Sequence, residues 1–113
     1  MAQPVPTYTN EDLERIVTRD FGNERHTEIG NILDKYGTEK SNRDPLRVRM
    51  ACLKLANGNI DELKKYVEIA CQDYRDVLAW AEYSAYMRAT NAEQRKEAVE
   101  DDWRELQAWL HRP

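Results

Sequence analysis

Histidine and cysteine are scarce in this chain: His26, His111, Cys52 and Cys71 are all there are. No HExxH or CxxC spacing occurs, so a zinc site would need carboxylates brought in by the fold. Glu24 and Glu28 share a helix face, but His26 points about half a turn away from them. His111 lies near the end of the sequence, where a fraying helix places a catalytic base poorly. Both cysteines sit in stretches that read as apolar around them, so two buried, inert free thiols are expected. Glycine is equally sparse. Gly22, Gly37 and Gly58 punctuate helices and Gly30 stands alone, which leaves no phosphate-cradling loop. No apolar run approaches the roughly 18 residues that span a bilayer, and no charged-then-apolar start suggests a signal peptide. A cytoplasmic protein with no membrane association is the expectation. No stretch alternates with period two long enough for a strand.

Excess positive charge is also missing. The net charge is −4, with nine basic against nine acidic residues over 1–60 and eight against twelve over 61–113. A mildly acidic chain is a poor general binder of nucleic acid, which needs clustered Lys and Arg. Charged residues still make up 34% of the sequence, above the usual quarter. Carboxylates close together therefore carry little information.

What is present is helical spacing. Residues 1–8, with two prolines, read as an arm. Thr9 and Asp12 begin a capping-box-like start; Leu13, Ile16, Val17 and Phe21 follow, and Gly22 stops the helix. A second helix, about 24–36, carries Ile29, Ile32, Leu33 and Tyr36, with Gly37 at its end. Asp44-Pro45 is a sharp boundary, a capping carboxylate before proline at the first helical position. The third helix, about 45–56, is apolar nearly all round and belongs in the interior. Asn59 caps the next segment, where Ile60, Leu63, Val67, Ala70, Tyr74, Val77 and Ala81 alternate three and four apart. With no Gly or Pro among them, residues 60–82 read as one long central helix of about 35 Å at 1.5 Å per residue. Its flanks include Tyr66, Cys71, Leu78 and Trp80, which widens the stripe beyond a coiled-coil seam. Glu68, Arg75 and Glu82 fall on the opposite, outer edge. Residues 84–90 break the pattern. Thr90 and Glu93 form a T-x-x-E capping box for an amphipathic C-terminal helix over 91–111. The fold expected is all-α, an irregular bundle of about five helices in one domain.

One polar constellation survives this sorting into inside and outside. Asp73 and Asp76 are i,i+3 neighbours, and like charges there are destabilising. If the third and fourth helices form an antiparallel hairpin about Gly58, Asp73 comes level with Arg43. Arg43 or Arg47 is then expected to neutralise the Asp73/Asp76 pair, with four solvated residues as the alternative. The same geometry offsets Cys52 and Cys71 by about 10 Å along the helix, beyond disulfide reach. A helix-turn-helix is disfavoured, because Ile60, Asp61 and Glu62 would head the recognition helix and repel phosphate. The basic sector Arg43, Arg47, Arg49 and Lys54 has no second basic element to follow it.

The run "RVRMACLKLANG", Arg47–Gly58, and the run "DYRDVLAWAEY", Asp73–Tyr83, resemble a group of small all-helical bacterial proteins of unassigned function. That group shares R-V-R-x-A-x-L-K-L-A-x-G followed by D-Y-R-D-V-L-A-x-A-E-Y. "DLERIVTRDF" also fits, so the similarity spans about 10–87. Relatives tend to have Pro where Ser84 stands here, and the last 25 residues lie outside it. The resemblance implies a small helical domain, with no activity, cofactor or site.

No catalytic, cofactor-binding or metal-binding residue stands out, so an enzyme is not expected. The leading reading is a protein–protein interaction module able to self-associate. Trp103 and Trp109 serve it either as core or as exposed anchors. The alternative is an inhibitor or immunity-type protein that engages a basic partner through Glu97, Glu100, Asp101 and Glu105 on the C-terminal helix.

Overall fold

A computed structural model describes residues 5–40 and 42–113. Every regular element among them is helical. The chain runs through α1 (Asn10–Phe21), a 3-10 turn (Asn23–Arg25), α2 (His26–Leu33), α3 (Pro45–Ala56), α4 (Ile60–Gln72), α5 (Tyr74–Glu82), α6 (Ser84–Arg88) and α7 (Ala92–Leu110). The all-α expectation holds; the count of about five helices does not, because the expected 60–82 helix is split into α4 and α5, and Ser84–Arg88 forms α6 where a break was expected.

α1 starts on the Thr9/Asp12 capping box. The Thr9 hydroxyl accepts from the Asp12 N–H at 3.1 Å and the Asp12 carboxylate accepts from the Thr9 N–H at 2.9 Å. Ile16 and Val17 point inward, and Gly22 ends the helix at φ 83°. α2 is shorter than its apolar spacing suggests. Tyr36 lies beyond its end, yet is fully buried and donates its hydroxyl to the Arg43 carbonyl at 2.6 Å. Arg49 of α3 closes this end: its guanidinium donates to the carbonyls of Leu33 and Tyr36, acceptors that a helix end leaves without intrahelical partners. Gly37 then turns the chain at φ 105°, where a Cβ would meet the Arg49 guanidinium at 2.8 Å.

The interior helix is α3. It buries Val48, Met50, Ala51, Cys52, Leu53 and Ala56 and packs against α1, α4 and α5, as its all-round apolar pattern implies. Its start is a partial correction. Pro45 stands in the first turn, but Asp44 is left-handed (φ 44°) and its carboxylate makes no cap.

The long central helix over 60–82 is the main correction. It is interrupted at Asp73, whose backbone is extended (φ −155°, ψ 99°) and which ends α4 and caps α5 at once. The Asp73 carboxylate accepts from the Arg75 N–H at 3.0 Å, satisfying one of the donors that the new helix start exposes. Leu63, Val67, Ala70, Val77 and Ala81 all stay buried across the break. A one-residue interruption that keeps the apolar stripe facing inward is invisible to periodicity.

After α5 the chain breaks again at Tyr83, and α6 follows with no buried residue. α7 is capped by Asn91, whose side chain accepts from the Gln94 N–H at 2.8 Å. Thr90 is thus one residue too early to be the cap. Its N–H and hydroxyl donate instead to the Gln94 side chain, and Glu93 takes no part. At the far end of α7, Arg15 and Arg19 of α1 donate to the carbonyls of Leu110, Trp109 and Arg112. The Arg19 guanidinium also lies 5.5 Å from the Trp109 ring centre. Cations at a helix C-terminus are stabilising, so these contacts fasten the last helix to the first.

Candidate functional site

The residues proposed as an ion-pair cluster are not brought together. Asp73 pairs with Arg75 from its own helix start, Nε to carboxylate 3.0 Å. Hydrogen bonds from Arg75 hold the Asp73 carboxyl below its usual range. Asp76 and Arg43 are exposed and join no ion pair among the described residues; Arg43 enters the fold only through its carbonyl. Arg47 turns the other way.

Arg47, in the first turn of α3, meets Glu82 at the end of α5. Its Nε lies 3.2 and 3.0 Å from the two carboxylate oxygens, and Nη2 bonds the same carboxylate and the Tyr83 hydroxyl, the latter at 2.9 Å. The Glu82 side chain is 2% exposed. An outer-edge position for Glu82 is therefore wrong: α5 keeps Val77 and Ala81 facing inward, and Glu82 beside them is buried on Arg47 of α3. Hydrogen bonding to Glu82 keeps the Arg47 guanidinium charged well above its ordinary range. Burial, with Glu82 adding, raises the Tyr83 phenol and raises that of Tyr8 further. Both phenols are therefore neutral at physiological pH, and both Glu82 oxygens are occupied by one guanidinium. This arrangement joins α3 to the α5–α6 junction and leaves no free base or nucleophile at its centre. The arm lies alongside: Pro6 is buried, and Val5–Tyr8 line a 350 Å³ cleft with the start of α3. Its first residues fall outside the described part.

The two thiols differ from each other. Cys52 is buried and its thiol is pushed up to about 12 by desolvation. Cys71 is exposed at the end of α4, with its sulfur 3.5 Å from the Lys35 carbonyl. Two buried thiols is thus corrected to one. Partial burial and nearby Glu68 and Glu39 raise its pKa too, so neither is an activated thiolate. Among the described residues no three His, Cys, Asp or Glu side chains gather closely enough to hold a metal.

The remaining candidate surface is α6 with α7. Asp102, 6% exposed, was missed by the sequence reading. Its two carboxylate oxygens accept from the Ala85 and Tyr86 N–H groups at 2.9 and 3.0 Å, capping α6 from another helix. Tyr86 and Met87 are left 38% and 57% exposed. Between the two helices lies a 430 Å³ groove lined by Tyr86, Ala92, Arg95, Lys96 and Val99. Residues 92–97 of α7 are exposed throughout.

On the outer side of α7, Glu97, Glu100, Asp101 and Glu105 are all exposed. Asp101 pairs with Arg104 at 3.3 Å and Glu105 with Lys54 at 2.7 Å; Glu97 and Glu100 are in no ion pair among the described residues. Trp109 is core, 4% exposed, and Trp103 packs half-buried against that core. Neither tryptophan is an exposed anchor. The exposed one is Trp80, edge-on to Tyr66 with ring centres 6.2 Å apart. No described helix is long and apolar enough to cross a membrane. No protein-family model matches the chain, and no curated protein or solved structure is significantly similar to it.

Proposed function

We propose that the protein is a non-catalytic cytoplasmic interaction module that engages a protein partner through α6 and the exposed half of α7. The observation that carries this reading is the support given to α6. A five-residue helix that buries no side chain of its own is not stable by itself. Here the buried carboxylate of Asp102 holds it, and a buried charge is tolerated only when hydrogen-bonded. The result is a fixed platform for Tyr86 and Met87 beside the groove.

A photo-crosslinking residue at Met87 tests it, with one at exposed Arg25 as the control. In living cells the Met87 probe should join a defined protein and the Arg25 probe should not. Equal labelling from both, or none from Met87, would remove the reading.

A second reading follows from Glu97 and Glu100, which are exposed and in no ion pair among the described residues. In it the acidic side of α7 blocks a basic enzyme, as an inhibitor or immunity protein does. Binding that weakens steeply between low and physiological salt favours this over an apolar anchor.

A further inference from the structure

We infer that the α6–α7 groove receives α7 of a second copy of this chain. The two helices run antiparallel, with Lys96 of each copy beside Glu100 of the other. This rests on the interaction-module reading and names its partner.

Charge is sorted along α7 in a way that fits its own reverse. Arg95 and Lys96 line the groove, while Glu93, Glu97 and Glu100 follow at i, i+4 and i+7 on the neighbouring stripe. Lys96 and Glu100 are exposed, and neither joins an ion pair among the described residues. They are four apart with the lysine N-terminal, the less favourable order for pairing within a helix. A two-fold axis level with Ala98 places Lys96 of one copy opposite Glu100 of its mate, and by symmetry the reverse. That is a closed, isologous contact. The same operation brings half-buried Trp103 level with the mate's first turn, where Ala92 and Tyr86 leave apolar surface open. An external acidic peptide would satisfy Arg95 and Lys96 yet leave Glu97 and Glu100 unmatched. A second copy supplies both signs.

The surface is modest. α7 is about 28 Å long at 1.5 Å per residue, and with α6 it offers less than the roughly 800 Å² per partner of a standard interface. The pairing is accordingly weak and concentration-dependent.

Sedimentation velocity on the full chain up to about 1 mM at low salt reads it out, at concentrations where interfaces below standard size become populated. The mass should rise from 13.3 kDa toward twice that value, and fall back with added salt. K96E and E100K should each weaken association by at least about tenfold through like-charge contacts. Mixing the two variants should restore a heterodimer, and the K96E/E100K double variant a homodimer. All these positions are exposed, and circular dichroism confirms that each variant folds.

A dimer that neither single substitution weakens overturns the inference. A chain that stays at 13.3 kDa also overturns it, and the Met87 probe then separates the two readings. Capture of a different protein leaves the module reading standing; no capture removes both.

Discussion

The Arg47–Glu82 pair offers the sharpest test of how this fold is held together. Arg47→Met leaves the Glu82 carboxylate, 2% exposed, with no cation and strips the Tyr83 hydroxyl of its donor. Breaking a buried pair from one side costs about 3–5 kcal/mol. Glu82→Leu should cost less, about 2–3 kcal/mol, since an unpaired charged hydrogen-bonding group is left behind but the Arg47 side chain, 18% exposed, can turn toward water. The double variant Arg47→Met/Glu82→Leu removes both charges and keeps apolar volume, so it should lie within about 1 kcal/mol of the wild type. The coupling between the sites is then about 4 kcal/mol or more, beyond the ordinary range for neighbouring residues. Urea melts measure it. With a slope of about 2 kcal/mol per molar, Arg47→Met shifts the midpoint by about 2 M, a large share of a total stability near 5–15 kcal/mol. Two single variants that each cost under about 1 kcal/mol would refute the reasoning, because a carboxylate in that position cannot be indifferent to losing its partner. So would a double variant that merely sums them.

Asp102→Ala should cost about 1–2 kcal/mol, as loss of a helix cap does. Hydrogen exchange should show the amides of Ala85 and Tyr86 losing protection before those of α3; unchanged exchange would mean that α6 does not depend on the carboxylate. Native protein should yield one thiol to a disulfide reagent, Cys71, while Cys52 reacts only after unfolding. Two thiols reacting together would contradict the burial difference. The alkaline limb follows from proton linkage. The folded state raises Cys52 from 9.0 to about 12 and Tyr36 from 10.0 to about 12. Both groups therefore contribute full stability below their unfolded values and lose it as pH rises through the folded ones. The Cys52 contribution should decline by about 1.4 kcal/mol per unit above pH 9. Cys52→Ala should make the decline between pH 9 and 10 shallower, leaving what Cys71 contributes there and the further decline above pH 10 to which Tyr8, Tyr36 and Tyr83 contribute, and an unaltered slope in that variant would show that Cys52 is not the group responsible.

Several elements were legible because their determinants are local. Thr9 and Asp12 are three residues apart, and their reciprocal bonds form wherever the chain turns helical there. α3 declared itself interior by carrying apolar residues on more than one side. The candidate ion pairs failed for a definite reason. Placing Arg43 level with Asp73 assumed helix on both sides of the turn, but α3 begins only at Pro45 and α4 ends at Gln72, so both residues lie outside the paired helices. An aspartate in mid-pattern was the available signal, since Asp prefers a cap to a helix interior. Asp102 had no comparable signal, because it lies amid Glu100, Asp101 and Glu105 and only burial sets it apart.

Spacing of apolar side chains, together with glycine and a few caps, is enough to make this chain all-α, α6 excepted. Those preferences act over three or four residues and need no partner. Where the helices stop, and which charges go inside, depended on the fold. Arg47 finds Glu82 across 35 positions and Asp102 finds α6 across 16 and 17. A carboxylate chooses between water and a distant donor only when packing has already removed the water.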